Sequence, residues 1–574
     1  MSDQDDIIAA ATAGTLPELF IERLRGHRTD ELGKAFRATL TRLHNDGTID
    51  VLEPARTIQT SPIDQHDFFT VMHVYSEFIP ELDASVSDML AAVKALSKRA
   101  GDDLASGMAN GSYRTWAEQG SRARDTFETI NPEDGDDAAF VFLALQALAK
   151  AEPDAALDRA ILFVGANAGP ARSAAAKAIG TFDMIDAVRR TRAIDALAAN
   201  AESADDNSLG QILAAICKIA KAHLDTHTHA AALIETNIDR TGDHAIHQLS
   251  LELMFHADEL PPVIVKPLTA ILHRVPIGNR GTIRDIGAAA GKLAGKNRLD
   301  EALALITPLL SQHEELTSLE PLGSLNYHLL QLPPDQLAKT IVAWLLACDA
   351  NLGRAAMALV GNHHGDNPLI LDPAITAAAL SDPERVLLAH RAIGWLFVHP
   401  VTAASLLIGL LDGAGDAAKD SIAELLFDPL LINFSGSVGD WIADQSKTTQ
   451  PILAELTTRL EAYIDGLRSP GRIKELRPSE RERLIENHRQ HESMRQAYKA
   501  SEKSSILASL ATRQVLLYGT RSISYFKGVG GKQQRSEMKM HSFTHSIESP
   551  RLDTLEPFDL DYTLRVFRAM KTAP

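Results

Sequence analysis

Between Ala138 and about Leu467, the sequence alternates between Ala- and Leu-rich segments and short breaks of Gly, Pro, Asp or Asn. Ala and Leu are strong helix formers, and breaks of this composition commonly end helices. Aromatic residues make up only 5% of the chain, whereas strands prefer aromatic and β-branched side chains. The pattern therefore predicts an all-α protein in which short helices pair as hairpins.

The length of the chain bears on how these hairpins are arranged. A chain of 574 residues ordinarily divides into several domains. A stack of repeats can hold the same length as one elongated array, in which each helix pair contacts only its neighbours. We predict such an α-solenoid, and a non-repeating array of Ala-rich helices is the alternative.

Residues 169–180 combine a basic residue, a pair of small residues and a small–large–glycine ending. The residues that carry this pattern are Arg172, Ala175, Ala176, Ala178, Ile179 and Gly180. The segment resembles the inner helix of a HEAT repeat. The resemblance implies a HEAT-like solenoid, in which small residues let neighbouring helices approach closely and Gly180 ends its helix in a left-handed conformation.

Weaker copies of the pattern follow at Arg284 and Lys419. Arg172 and Arg284 are 112 residues apart, and Arg284 and Lys419 are 135 residues apart. Three repeats in each interval would give periods of about 37 and 45 residues, near the range of HEAT repeats.

Two changes of sequence character divide the chain into three regions. Residues 1–135 are helical in pattern but less regular, and the turn-rich acidic segment 131–137 closes them. The break at 469–471 ends the repetitive part. We predict an N-terminal helical region at 1–135, a HEAT-like solenoid at 136–467 and a small, partly irregular basic region at 468–574.

Charge is distributed unevenly along the chain. The formal net charge is −18, yet residues 471–545 carry 15 Lys and Arg against 7 Asp and Glu, a net of +8. Residues 1–470 carry a net of −25. Because an acidic surface repels phosphates, any nucleic-acid contact is expected in the basic segment 471–545.

The basic region differs from the rest in its predicted elements. Its last helix is expected to pack Leu564, Val566 and Phe567 on the body of the protein. A run of β-branched and aromatic residues predicts strands, and a glycine-rich basic stretch predicts a flexible loop. The expected elements are a polar helix at 478–500, strands within 514–526, the loop at 527–532 and a final helix at 560–570.

Seven residues of this region form a candidate nucleic-acid interface, in which cations would hold phosphates and an aromatic ring would stack on a base. A solvated loop, or a surface that docks on the acidic body or on a partner, is the alternative. The seven are Arg513, Arg521, Tyr525, Lys527, Lys532, Arg535 and Lys539.

Arg483 and His488 have the R-x4-H spacing of HEPN-type ribonucleases, and the polar helix that contains them resembles that family in this respect alone. The resemblance implies that the two side chains act on an RNA backbone, usually in a dimer. A solvated histidine on a polar helix is the simpler interpretation.

Metal ions and disulfides are not expected. Cys217 and Cys348 lie far apart and form no CxxC pair. Histidines are dense between His223 and His247, but His227 and His229 are two positions apart and point to different sides of a helix. We therefore predict neither a metal site nor a cofactor.

The uncharged run 392–411 is long enough to span a bilayer. Pro400 stands in its middle and disfavours helix at His399, so the run predicts two shorter buried helices. The acidic start of the chain lacks the features of a secretory signal. We expect a cytoplasmic protein without a membrane partner.

No catalytic motif emerges, so the leading hypothesis is a non-catalytic scaffold that binds a protein partner along the solenoid. By analogy of fold alone, such proteins include subunits of bacterial multi-protein systems, phage defence among them. The alternatives are a nucleic-acid-binding subunit that uses the basic region, and a ribonuclease that uses Arg483 and His488.

Overall fold

Helices make up 77% of the residues in the computed structural model. The part of the chain that it describes contains 30 α-helices. It forms two compact units, residues 1–333 and 334–574. The residues that it describes are 3–24, 31–101, 106–167, 169–365, 367–445, 451–470, 473–504, 511–516, 521–527, 533–539 and 548–573.

The first unit contains nineteen α-helices within these described ranges. They are α1 (Asp3–Ala13), α2 (Leu16–Leu24), α3 (Glu31–Asn45), α4 (Glu53–Thr57), α5 (Gln65–Phe78), α6 (Val86–Ala100), α7 (Ser106–Ala117), α8 (Arg122–Thr129), α9 (Gly135–Ala151), α10 (Pro153–Val164), α11 (Gly169–Ile179), α12 (Ala187–Ala201), α13 (Asp206–Ala222), α14 (His227–Thr236), α15 (Asp243–His256), α16 (Pro262–Leu272), α17 (Arg280–Gly295), α18 (Leu299–Gln312) and α19 (Gly323–Leu330). Short 3₁₀ turns join some of them, at Ile58–Thr60, Ile79–Glu81, Leu224–Thr226, Ile238–Arg240, Glu314–Leu316 and Glu320–Leu322.

These helices stack in two layers. Every odd-numbered helix from α3 to α17 packs on the next odd-numbered one. In the opposite layer, α4 packs on α6, α6 packs on α8, and α10 packs on α12. The opposite layer continues with α14, α16 and α18. Helices thus pack in series with neighbours in sequence and in the same layer, which is the packing expected of an α-solenoid. The predicted all-α solenoid class is confirmed.

The odd-numbered layer already includes the less regular N-terminal part of the sequence. There α5 packs on α3 and on α7, and α9 packs on α7 across the acidic turn at 131–137. Aromatic side chains fill this end of the core: Phe20 lies edge-on to Tyr75 at 5.6 Å, and Tyr113 edge-on to Phe140 at 4.9 Å. Large rings replace the Ala-rich pattern here without changing the stacking.

The spacing of the stack is most regular in the middle of the unit. Helices α11, α13, α15 and α17 begin at Gly169, Asp206, Asp243 and Arg280, so each repeat is 37 residues long. The interval from Arg172 to Arg284 therefore holds three repeats, as expected.

The next interval, from Arg284 to Lys419, includes the division between the two units, so its three repeats stay a prediction.

Small residues at the layer interface allow the close approach that the HEAT-like segment implies. A Cβ on Gly180 would lie 2.9 Å from the Cα of Ala215, and one on Gly210 would lie 2.8 Å from the Cα of Ala245. The expectation that Gly180 ends α11 in a left-handed conformation is wrong, because the backbone there has no positive φ. Close packing on α13 explains the glycine instead.

Arginine side chains join the turns of successive repeats by hydrogen bonds. Arg172, in the HEAT-like segment, is buried and donates hydrogen bonds to the carbonyls of Ala166 and Ser203. Arginines elsewhere in this unit bond turn carbonyls 36 to 41 residues away in the same manner. These pairs are Arg122 with Leu82, Arg240 with Ala201, Arg274 with Ile238 and Arg298 with Ala257.

The second unit continues with eleven α-helices and three strands among its described residues. The helices are α20 (Pro334–Leu346), α21 (Ala350–Gly361), α22 (Ala374–Ala377), α23 (Asp382–Leu396), α24 (Pro400–Leu411), α25 (Asp416–Leu425), α26 (Ser437–Gln445), α27 (Pro451–Arg468), α28 (Glu480–Ser504), α29 (Arg551–Leu555) and α30 (Pro557–Ala569). A π-helical turn covers Leu426–Leu431 and a 3₁₀ turn covers Lys474–Leu476. The strands are β1 (Ala511–Leu516), β2 (Arg521–Lys527) and β3 (Gln533–Lys539).

Here too the helices pack in two series, α21 with α23 and α25, and α20 with α22, α24 and α26. The uncharged run 392–411 folds as predicted, because α23 ends at Leu396 and α24 begins at Pro400. Both helices are largely buried. Within the described residues, every helix is too short or too polar to cross a bilayer.

The last helix, α30, returns to pack on α21 and α23, as the sequence predicts. Its Phe567 ring lies edge-on to the His390 imidazole at 4.8 Å. Arg391, only 1% exposed, donates hydrogen bonds of 2.8 Å to the carbonyls of Arg568 and Met570. A cation at the carbonyl end of a helix satisfies groups that have no partner within the helix.

A second contact anchors the segment just before α29. The Glu548 carboxylate accepts hydrogen bonds from the backbone amides of Gly436 and Ser437, at the start of α26. Burial raises the pKa of Glu548, but these hydrogen bonds outweigh it and hold the pKa below its usual range. The chain that follows the three strands is thus attached to the helical body.

Candidate nucleic-acid interface

The predicted interface residues fall on a three-stranded antiparallel sheet of order β1-β2-β3. It follows α28 and precedes Glu548 in the chain. The strands expected within 514–526 are confirmed as β1 and β2, whereas β3 was not predicted.

The strand register places Tyr525, in the central strand, directly opposite Arg513 of β1 and Arg535 of β3. Arg521 pairs with Lys539 nearer one end, and Lys527 begins the β2–β3 pairing at the other. Directly opposed residues share a face, and so do residues two apart along a strand. Six of the seven predicted residues therefore occupy positions on one face, which we call the cationic strand face: Arg513, Arg521, Tyr525, Lys527, Arg535 and Lys539.

The opposite face carries no charged residue at its described positions. The register assigns to it Gln514, Leu516, Ser522, Ser524, Phe526, Gln534, Ser536 and Met538. The basic residues of all three strands thus fall at positions on the same face. Only the register shows this, because the sequence alone does not say how the three strands are aligned.

The centre of the cationic strand face is less polar than its margin. Ile523 is buried and is opposed by Val515 and Glu537, while Tyr525 beside it is half-buried. Arg535 is exposed, and its guanidinium lies 3.6 Å from the Glu537 carboxylate. Five basic positions surround one acidic one, so the face is strongly cationic.

The seventh predicted residue, Lys532, lies outside the residues that the structure describes, as does most of the predicted loop 527–532. Lys527 itself ends β2. The geometry therefore bears on six of the seven residues.

Arg483 and His488 both lie exposed on α28, which is exposed along nearly all of its described length. Positions five apart on an α-helix are about 140° apart around its axis, so the two side chains do not share a face. Their spacing remains the one feature behind the ribonuclease alternative, which stays a prediction.

The dense histidines between His223 and His247 do not converge. His227 directs its Nε2 atom to the carbonyl of Ala220 at 2.9 Å, and His247 lies 3.2 Å from the hydroxyl of Thr282. In the described part of the chain, no group of three or more His, Cys, Asp and Glu side chains is arranged to hold a metal ion.

Two features of the first unit were missed from the sequence. A cleft of about 470 Å³ at the start of α17 is lined by Arg280, Arg284, Glu315 and Glu320. In the sequence, Arg284 stands out only as part of the repeat pattern. Its position four residues after Arg280 was the available signal, since such residues share a helix face.

The other missed feature is a buried carboxylate. Glu252 on α15 is 4% exposed and lies 3.5 Å from the Lys218 ammonium and 3.7 Å from the His256 ring. Burial raises the pKa of Glu252 despite these neighbours.

Two aromatic side chains of the odd-numbered layer are largely exposed. Phe255 is 60% exposed and Tyr327 is 62% exposed.

Comparison with known proteins adds no relative, since no family model matches the chain and no curated protein matches it.

Proposed function

We propose that this protein is a non-catalytic interaction scaffold and that it binds nucleic acid through the cationic strand face. The register of the sheet carries this proposal, because it gathers five basic positions and one tyrosine on a single face. If the same residues were divided between the two faces, each face would carry less positive charge and fewer cations would lie on the face that contains the tyrosine.

The charge of the chain supports the assignment of that role to the sheet. Residues 1–470 have a net charge of −25 and would repel a polyanion, whereas residues 471–545 have a net charge of +8. A phosphate backbone would therefore approach the protein at its basic region. The helical units would then serve as the body that presents this face.

Salt-dependent binding tests the proposal in the full-length chain. We expect a labelled oligonucleotide to bind with an affinity that falls as salt rises, because bound cations release counterions from phosphates. The triple variant Arg513→Gln, Lys527→Gln, Arg535→Gln should bind at least about tenfold more weakly and show a shallower salt dependence.

The matched control neutralises three arginines of the neighbouring helix α28. Arg481→Gln, Arg489→Gln, Arg495→Gln changes the net charge by the same amount on an exposed helix. Equal weakening by both triple variants would mean that total charge, rather than the cationic strand face, governs binding, and would contradict the proposal.

A protein partner is the second candidate, and the exposed aromatics of the odd-numbered layer favour it. Phe255 on α15 and Tyr327 on α19 lie on either side of α17 in the stack. Exposed aromatic side chains are enriched at protein interfaces. The bacterial multi-protein system, phage defence included, stays an analogy of fold for this candidate.

Purification from the native host tests the partner. A stoichiometric protein should be retained by the wild type and lost from Phe255→Ser, Tyr327→Ser. The control is Leu162→Ser, an equally exposed apolar residue on α10 in the opposite layer. A partner retained by the double variant would not bind along the odd-numbered layer.

A further inference from the structure

Tyr525 stands at the centre of the cationic strand face. It occupies the middle strand, and the register opposes it with an arginine on each side, Arg513 and Arg535. Ile523, two positions away in the same strand, is buried, and Tyr525 itself is half-buried. An aromatic ring between two cationic positions can stack on a base while the cations hold the flanking phosphates.

Such a ring can stack only on a base whose face is accessible. In a duplex the base faces are covered by their neighbours, and a protein reads base edges in the grooves. The bases of a single strand can be splayed apart and stacked on aromatic side chains. Tyr525 therefore distinguishes between the two kinds of nucleic acid.

We propose that the cationic strand face binds single-stranded nucleic acid, with one base stacked on Tyr525 and the adjoining phosphates held at Arg513 and Arg535. This inference rests on the proposed nucleic-acid function and specifies its substrate. The longer strands have seven residues, about 23 Å, which suits a short stretch of single strand.

The test measures fluorescence anisotropy of the full-length protein with labelled 12-nucleotide oligothymidine, 12-nucleotide oligouridine and a 12-base-pair hairpin duplex. We expect a single strand to bind at least about tenfold more tightly than the duplex. The oligothymidine and oligouridine arms separate DNA from RNA, since only RNA carries the 2′-hydroxyl.

Substitutions of the ring test the stacking itself. Tyr525→Ala should weaken single-strand binding roughly 5- to 150-fold and leave the salt dependence unchanged, because a stacked ring releases no counterion. Tyr525→Phe should retain most of the affinity. The control is Phe526→Leu, at the adjacent position on the opposite face, which should bind as the wild type does.

Each result bears on one proposal or the other. Equal affinity for single strand and duplex, or unchanged binding by Tyr525→Ala, would overturn this inference while leaving phosphate binding by the face intact. Equal losses in Tyr525→Ala and Phe526→Leu would trace the effect to sheet stability and would also overturn it. Failure of all three probes to bind would overturn the proposed function and, with it, the inference.

Discussion

At the scale of single residues, Arg391 links parts of the chain that are far apart in sequence. Its side chain is buried, and it bonds the carbonyls of Leu345, Arg568 and Met570. Burial lowers the pKa of Arg391, yet a guanidinium remains charged at any ordinary pH. The arginine therefore holds the end of α30 with a full positive charge.

Replacing this arginine should release α30. In Arg391→Met the stem remains but three carbonyls lose their donor, so we expect the free energy of unfolding of the second unit to fall by about 2–4 kcal/mol. Urea denaturation and limited proteolysis at α30 measure the effect. Arg565→Met, which removes an exposed ion pair to Asp561 on the same helix, should cost less than about 0.5 kcal/mol. Similar losses in both variants would contradict this role.

His390 should make the docking of α30 sensitive to acid. Burial lowers the pKa of His390 below its ordinary 6.5, so the fold binds this proton less readily than the unfolded chain does. The contribution of the neutral imidazole is complete above pH 6.5 and is lost as the pH falls through the lower pKa of the fold. The melting temperature should therefore drop more between pH 7 and pH 5 in the wild type than in His390→Gln. Parallel pH profiles would refute the prediction.

The structural role of a single residue could be predicted only where neighbouring residues in the sequence form a recognisable pattern. The small residues around Arg172 indicated close helix packing, and α11 shows it. The link from Arg391 to Arg568 spans 177 residues, and no local pattern reveals it. The prediction of a left-handed conformation at Gly180 was wrong. This glycine instead lets the backbone of α11 approach Ala215 closely.

At the scale of elements, α17 combines a crowded glycine and an open one. A Cβ on Gly291 would lie 2.6 Å from the Ser324 hydroxyl and 2.9 Å from the Ser324 carbonyl, whereas one on Gly281 would meet nothing within 4 Å. Gly291→Ala should therefore destabilise the first unit by about 1–3 kcal/mol, although alanine is the better helix former.

Gly281→Ala is the matched control in the same helix. It should be neutral or stabilising by up to about 1 kcal/mol, because the new methyl group meets no neighbour. Chemical denaturation measures both variants. Equal stability of the two would show that α17 and α19 adjust freely, against the close packing described above.

The strands show where elements could and could not be predicted. Aromatic and β-branched residues marked β1 and β2, but β3 reads QQRSEMK and has none of them. Its pairing with β2 is a tertiary effect that overrides weak local preference. The sequence alone identifies the candidate residues as basic side chains and one tyrosine, whereas their arrangement on one face required the register. Their role in binding nucleic acid stays a prediction.

At the scale of the whole molecule, stability should vary sharply along the chain. Helix α13 packs on α11, α15 and α14 and is largely buried, whereas α28 is exposed along nearly all of its described length. An isolated helix is only marginally stable in water. Hydrogen exchange should therefore be complete within seconds to minutes in α28 and should take hours or longer in α13. Comparable protection of both helices would mean that α28 is covered in solution.

The repeat architecture was predictable because helix propensity and periodic breaks recur over hundreds of residues. The division between the two compact units after Pro333 could not be predicted, since α19 ends and α20 begins without a marked change of composition. The predicted boundaries near 135 and 467 follow changes of sequence character, and they stay predictions.

The return of α30 to α23 also has a consequence for the order of synthesis. Gly394, whose carbonyl accepts a hydrogen bond from Arg568, is made 174 residues earlier. At about 5–20 residues per second, a ribosome needs roughly 10–35 s to supply the missing helix. During that time the part of α23 that packs on α30 has no partner on the nascent chain. A chaperone that binds exposed apolar surface would have its best opportunity at this site, and it would be displaced once translation delivers α30.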